Sequence, residues 1–230
     1  MTDFTLIETM RFEPHLGILR RRLHLERLKR SANRLGFILP PELGGRLDAA
    51  VAEANDREEA DALRVRLVLT RDGTLDITTT PFTPQRPGTV WHVRIAKTRL
   101  ASRDPLLRYK TSRRASYEAA RAEYAGTEAD EVLLLNETGD PCEGTITSLF
   151  LDDGSGILKT PPISAGLLAG VLRTELICAR KARVTRLSLA DLEIGTLFMG
   201  NSLRGLIAAR LIASDDPPLR RTTDRAGSLL

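Results

Sequence analysis

Arg108-Tyr109-Lys110-Thr111-Ser112-Arg113-Arg114-Ala115-Ser116-Tyr117 is the stretch on which the reading of this chain turns. It sets a lysine just before an amphipathic helix expected over 112–124. Only five lysines, Lys29, Lys97, Lys110, Lys159 and Lys181, stand among the 34 basic residues. A lysine followed by two arginines is a candidate Schiff-base nucleophile, because burial and neighbouring cations both favour the neutral amine. Taken alone, Lys110 reads first as a solvated lysine at a helix start.

Further along lies Glu143-Gly144-Thr145-Ile146-Thr147-Ser148-Leu149-Phe150, part of one strand expected over 142–151. Acidic residues are depleted inside strands. An ionised carboxylate in such a place would keep a pyridine nitrogen protonated. Glu143 reads equally as an edge-strand glutamate beside the turn Glu137-Thr138-Gly139-Asp140. Lys110 and Glu143 together suggest pyridoxal phosphate chemistry. Gly170-Val171-Leu172-Arg173 opens a helix whose free N–H groups suit a phosphate, although most such turns bind nothing. Asn201 and Ser202, in Met199-Gly200-Asn201-Ser202-Leu203-Arg204-Gly205, offer a second small, donor-rich anion cradle. Arg27 in His24-Leu25-Glu26-Arg27-Leu28 could grip a phosphate bidentately, or be one more solvated arginine on a basic helix.

With 230 residues the chain has room for one large domain or two small ones. The net charge of +4 raises the question of nucleic acid. Arginine, however, is spread through every segment, and one Trp, three Tyr and six Phe give little for bases to stack on. A small anionic substrate accounts for the balance equally well. No apolar run reaches membrane-spanning length, and Met1-Thr2-Asp3-Phe4-Thr5 is unlike a secretory signal. Cys142 and Cys178 have neither metal-ligand spacing nor a disulfide framework. A cytoplasmic protein with no metal, no membrane and no nucleic acid is expected.

Periodicity predicts a strand over 4–11, a helix over 19–35 ended by Gly36, and a helix opened by Pro40-Pro41. A hairpin follows, with Val65, Leu67 and Leu69 before Asp72-Gly73 and Leu75 and Ile77 after it. Residues 81–89 carry three prolines and a glycine and read as a linker. Trp91, Val93 and Ile95 mark a strand, and a polar stretch over 97–104 leads to Lys110. Strands are expected over 131–136, 156–160, 182–186 and 196–199, a helix over 171–181, and a frayed tail over the last eighteen residues. The mixture lacks a βαβ rhythm and argues for an α+β fold, divided into residues 1–85 and 86–230.

Taken in order, these motifs resemble the class IV aminotransferases, the fold type IV pyridoxal phosphate enzymes. The resemblance runs from Leu6 to Ile212. Glu8-Thr9 is similar to the family's N-terminal pair, and His24-x-x-Arg27-Leu28 to its phosphate-binding helix. Lys110 falls at its Schiff-base lysine, and Glu143-Gly144 with Ser148-Leu149-Phe150 at its pyridine-nitrogen glutamate. Thr160-Pro161-Pro162 through Arg173, and Asn201-Ser202, resemble its phosphate loops. Ala169 and Leu172 replace a usual Pro and Thr, while Arg113 and Arg114 stand where Asn and Tyr are common. The chain also starts after the family's early strand and its Asp-Arg-Gly loop.

The resemblance implies a small N-terminal α/β sandwich domain, a larger pseudo-barrel domain and a homodimer. It implies that Arg27, Val171, Leu172, Asn201 and Ser202 hold the cofactor with Lys110 and Glu143. The late start resembles short lyase-type members, which convert 4-amino-4-deoxychorismate to 4-aminobenzoate and pyruvate in folate biosynthesis. Transamination of branched-chain or D-amino acids is the alternative, and an inactive binding protein a third reading. Arg66, then Arg114 and Arg11, are the expected substrate-carboxylate ligands.

Overall fold

The computed structural model describes residues 4–57 and 60–213. Its elements run β1 (Leu6–Glu13), β2 (Gly17–Ile18), α1 (Arg21–Leu35), α2 (Leu43–Arg57), β3 (Leu63–Leu69), β4 (Leu75–Pro81) and β5 (Val90–Leu100). Then come α3 (Ala115–Ala122), β6 (Glu131–Asn136), β7 (Pro141–Gly144), β8 (Ser148–Asp152), β9 (Leu158–Thr160) and α4 (Val171–Cys178). The described chain closes with β10 (Ala182–Val184), α5 (Leu189–Ile194), β11 (Thr196–Asn201) and β12 (Gly205–Leu211). The fold is α+β, as the sequence predicts.

The first four strands form a sheet ordered β2-β1-β3-β4. Alternation in β3 sends Leu63, Val65, Leu67 and Leu69 into the core and Arg64 and Arg66 to the opposite face. Leu28 and Ala32 of α1, and Leu47 and Val51 of α2, cover that core. Gly36 ends α1 at φ 70, a left-handed conformation that a side chain would disfavour.

The second sheet is ordered β10-β9-β8-β11-β12-β5-β6-β7, and β7 also pairs with β8. That last pairing closes β8, β11, β12, β5, β6 and β7 into a barrel, with β9 and β10 as a flap. Leu133 and Leu135 of β6 point into one cluster with Trp91, Leu149 and Met199. Val132 and Leu134 point to the other face, under Tyr117 and Ala120 of α3. A strand buried on both faces has no polar phase, which is why β6 reads as a plain apolar run.

The two sheets meet along β1. Leu6 bridges Thr111, Ile7 N donates to Lys110 O at 2.9 Å, and Ser112 N donates to Thr5 O at 2.9 Å. Residues 82–89 join β4 to β5 without regular structure.

The structure corrects several expectations. The stretch expected as one strand over 142–151 is two, β7 and β8, broken by a bend at 145–147. The polar run from Lys97 is still strand up to Leu100, because Arg99 and Leu100 rejoin β6 opposite Leu135 and Asn136 beyond a register shift, at which the Glu123 carboxylate accepts from Lys97 N and from Thr98 N (2.5 and 2.7 Å). Helix α3 begins at Ala115 and α4 ends at Cys178, each shorter than expected. β2, α5 and β12 were not anticipated. α5 carries a capping box that is readable in Ser188-Leu189-Ala190-Asp191. The expected tail over 213–230 lies outside the described residues apart from Ala213.

Candidate active site

Lys110, Glu143, the inner face of α1, the start of α4 and the 201–204 turn line one cavity of about 550 Å³ where the sheets meet. That is ample for a cofactor with a small substrate. β1 holds Lys110 in place through the Ile7 bond to its carbonyl. Burial, and after it Arg27, brings the Lys110 amine down to about 8, with Arg114 adding to the effect and Glu8 and Glu143 opposing it.

Glu143 stands near the end of β7, opposite Ser148 of β8. Its Oε1 accepts from Tyr117 Oη at 2.7 Å and from Leu168 N at 3.0 Å. Burial raises the carboxyl to about 7 in spite of those donors and the Lys110 and Arg114 charges. A cation placed against it would restore the ionised form. Burial and the neighbouring Glu143 push the Tyr117 phenol well above its ordinary range, so it stays a donor.

The bend after β7 is tied down by Glu131, which is 1% exposed. Its carboxylate accepts from Thr145 N and Ile146 N at 3.1 Å each, and from the hydroxyls of Thr145 and Thr147 at 2.5 and 2.8 Å. A Cβ at Gly144 would overlap Thr147 Oγ1 and the Glu131 carboxyl, so only glycine fits between them. Thr147 O closes the turn by accepting from Gly144 N at 2.8 Å, and the Thr145 and Ile146 carbonyls are left for side chains. Arg114 Nη2 donates to Thr145 O, and Asn201 Nδ2 donates to Ile146 O at 3.1 Å.

A buried ion cluster occupies the other end of the cavity. Arg27 donates through Nε to Glu8 Oε1 at 2.8 Å and through Nη2 to Oε2 at 2.5 Å. His24 Nδ1 lies 2.6 Å from the same Oε2, and its Nε2 lies 2.7 Å from Ser202 Oγ. Burial alone would raise the Glu8 carboxyl, but Arg27 and His24 overcome it and hold it down at about 2. Arg27 Nη1 reaches Ala169 O at 3.3 Å, just ahead of α4. Helix α4 has no side-chain cap, so its first amides lack intrahelical partners. A Cβ on its Gly170 would sit 2.6 Å from Ser148 Oγ. A glycine there lets backbone come close to whatever the helix start binds.

An amine with a lowered pKa, a fixed carboxylate and an uncapped helix start share this cavity. The sequence model of the "Amino-transferase class IV" family matches residues 5–212. The chain belongs to this family. Class IV aminotransferases are pyridoxal phosphate-dependent enzymes. A structure from Mesorhizobium loti, named a "putative amino-acid aminotransferase", is 48% identical and superposes with a TM-score of 0.86 over 91% of this chain and all of that one. A Schizosaccharomyces pombe protein named "putative aminodeoxychorismate lyase" is 29% identical over 182 residues, 77% of this chain and 74% of its own length. The 4-amino-4-deoxychorismate lyase of Pseudomonas aeruginosa shares the fold, with 23% identity and a TM-score of 0.73 over 90% of this chain and 82% of that one.

Set in this class IV frame, most of the residues singled out in the sequence converge. Lys110, Glu143, Arg27, Val171, Leu172, Asn201 and Ser202 all line the cavity, as do Arg66 and Arg114. The donor set suits the family's cofactor, with an amine for the aldehyde, a carboxylate for the ring nitrogen, and helix amides and a hydroxyl for the phosphate. Three placements differ from expectation. The bidentate face of Arg27 is turned to Glu8, leaving only Nη1 toward the loop before α4. Asn201 spends its amide on Ile146 O and its Oδ1 on the amides of Leu203 and Arg204, so its side chain shapes the turn. Arg11 does not line the cavity; it pairs with Glu13 at 2.7 Å and stacks on Phe82.

Sequence reasoning gave no role to Tyr117, Glu131 or Arg64, or to the partnership of Glu8 with His24 and Arg27. Two signals were present. Glu8 falls on the buried phase of β1, between Leu6 and Met10. His24 and Arg27 stand three apart on one helix face.

Proposed function

We propose that this class IV enzyme is a pyridoxal phosphate-dependent lyase that converts 4-amino-4-deoxychorismate to 4-aminobenzoate and pyruvate. The observation that carries the reading is the cation set of the cavity. Arg64, Arg66, Arg113 and Arg114 line it against Asp104 and Glu118. An amine bearing two carboxylates suits four guanidiniums. A branched-chain amino acid has one carboxylate and asks for an apolar pocket. The name of the Schizosaccharomyces pombe relative supports the same choice.

Pyridoxal phosphate, when bound, supplies the electron sink that makes the proton on the amine-bearing carbon labile. Lys110 Nζ holds the cofactor and then takes that proton, for which an amine brought down to about 8 is suited. Glu143 keeps the pyridine nitrogen protonated, and Tyr117 and the Leu168 amide keep Glu143 aimed. The α4 amides, Ser202 and Arg27 Nη1 bind the phosphate. Arg66 and Arg114 bind the substrate carboxylates, with Arg64 beside them on β3. We read residues 1–85 and 86–230 as the two domains of a cytoplasmic homodimer.

Transamination of an amino acid is the second reading, favoured by the name of the 48% identical Mesorhizobium loti structure. The test is the absorbance of the protein with pyridoxal phosphate, followed by assays for fluorescent 4-aminobenzoate and for pyruvate. A violet-blue band, lost in Lys110→Ala, and both products from aminodeoxychorismate are expected. A band that ordinary amino donors bleach, with no 4-aminobenzoate formed, would replace the lyase by the transaminase. A chain that forms no band is a binding protein on this fold.

A further inference from the structure

We infer that His24 is a positioning residue for the cofactor phosphate: it carries a proton on both ring nitrogens when the phosphate is bound, so that phosphate binding draws a proton into the site. The inference rests on the pyridoxal phosphate reading and follows from counting hydrogen-bond donors.

Glu8 accepts two bonds from Arg27 and faces His24 Nδ1 at 2.6 Å. An ionised carboxylate only accepts, so Nδ1 must carry a proton. That leaves Nε2, 2.7 Å from Ser202 Oγ. In a neutral ring Nε2 is a bare lone pair, and the single Ser202 proton must point at it. Ser202 then shows the cavity nothing but lone pairs. A phosphate dianion also only accepts, so the two would face each other with no proton between them. A proton on Nε2 reverses the chain: His24 donates to Ser202, and Ser202 donates to the phosphate.

Ser202 stands at the anion end of the cavity. Arg20 ties it to α4, donating to Ser202 O at 3.3 Å and to Glu175 Oε2 at 2.6 Å. A Cβ on Gly200 would lie 3.0 Å from Leu172 Cδ2, which puts this turn against the first turn of α4. The charges facing the ring come from three elements. Glu8 belongs to β1, Arg27 to α1, and Lys110 to the segment before α3. The Arg20–Glu175 pair lies beyond Ser202. Without an anion, burial lowers the His24 pKa, Glu8 opposes this, and Arg27 and Lys110 add to it. The free ring is therefore neutral above pH 7, and a dianion beyond Ser202 favours the imidazolium.

The chain has three histidines, so histidine-selective ¹⁵N NMR at pH 8 resolves the ring directly. With pyridoxal phosphate, both His24 nitrogens should become protonated. With pyridoxal, which lacks the phosphate, Nε2 should stay bare. Calorimetry in buffers of different ionisation enthalpy should show close to one more proton taken up with pyridoxal phosphate than with pyridoxal. Affinity for pyridoxal phosphate should fall by about tenfold per pH unit between the free and bound His24 pKa values. At pH 8 the phosphate is already a dianion. Ser202→Ala leaves the ring in place and removes the relay oxygen, so the extra proton should vanish. His24→Gln should abolish it too. A bare Nε2 in a complex that shows the absorbance band overturns the inference alone, as does an extra proton that survives Ser202→Ala. No band at all overturns the cofactor reading with it.

Discussion

Glu8 is a carboxylate in the buried phase of a strand, 2% exposed, and it is tolerable there because Arg27 and His24 share it. Removing one member of a buried ion pair leaves the other charge uncompensated, at a cost of roughly 3–5 kcal/mol. Glu8→Gln should lose about that much in urea denaturation, and the cofactor cavity should lose its shape with it. The sign of the pH dependence is fixed by direction. Glu8 ionises at about 2 in the fold, below an ordinary carboxylate. Its stabilisation is complete above the unfolded value and is lost as pH falls toward 2. Lys110 is also shifted down, to about 8, which for an amine favours the neutral form. The rate at which the absorbance band grows after mixing with pyridoxal phosphate should therefore climb through about pH 8 and level off above it. A flat rate from pH 6 to 10 would show that Lys110 is not the group that reacts.

The bend between β7 and β8 is the element on which the site hangs. β7 presents Glu143 to the cavity, β8 presents Ser148 to Gly170, and the carbonyls between them hold Arg114 and Asn201. Glu131 fixes that geometry from behind by accepting from two backbone amides and two hydroxyls of the bend. Glu131→Ala takes the acceptor from Ile146 N and from the Thr145 and Thr147 hydroxyls, while Thr145 N keeps Val132 O, and should cost about 2–4 kcal/mol, read as a lower thermal midpoint. Its kinetic signature should be a raised KM, because Arg114 loses the carbonyl that aims it, while the cofactor band persists. Gly144→Ala should act in the same direction, since its Cβ would overlap Glu131 and Thr147. Unchanged KM in both variants would remove Arg114 from the substrate site.

On the scale of the whole molecule, the cavity exists only because the β1 sheet and the barrel are locked together along Leu6–Thr111 and Ile7–Lys110. A ligand gripped from both sides stabilises the joined state by mass action, about 2.7 kcal/mol at a hundredfold excess over Kd. Pyridoxal phosphate should thus raise the thermal midpoint, with most of the shift lost in Lys110→Ala. An equal shift in that variant would place the ligand elsewhere.

Most of the local elements were legible in the sequence, β2, α5, β12 and the break between β7 and β8 excepted. Alternation in Leu63–Leu69, the periodic face of α1 up to Gly36 and the apolar run of β6 each follow from neighbours within a few residues. So did the residues that gather at the cavity, since Lys110, Glu143, Val171 and Ser202 sit in motifs short enough to recognise in one dimension. Pairings between distant segments were not legible. Nothing near Glu8 in sequence announces that it takes the Nε and Nη2 donors of Arg27, and nothing near Glu131 announces the bend at 145–147. Both are buried carboxylates whose partners arrive from other elements, and burial is a property of the assembled fold. Arg11 and Arg66 show the same limit. Both lie on the cavity side of adjacent strands, yet Glu13 and Phe82 claim the first while the second faces the site. Local chemistry chose the candidate residues; their distances in the closed structure decided which of them act together.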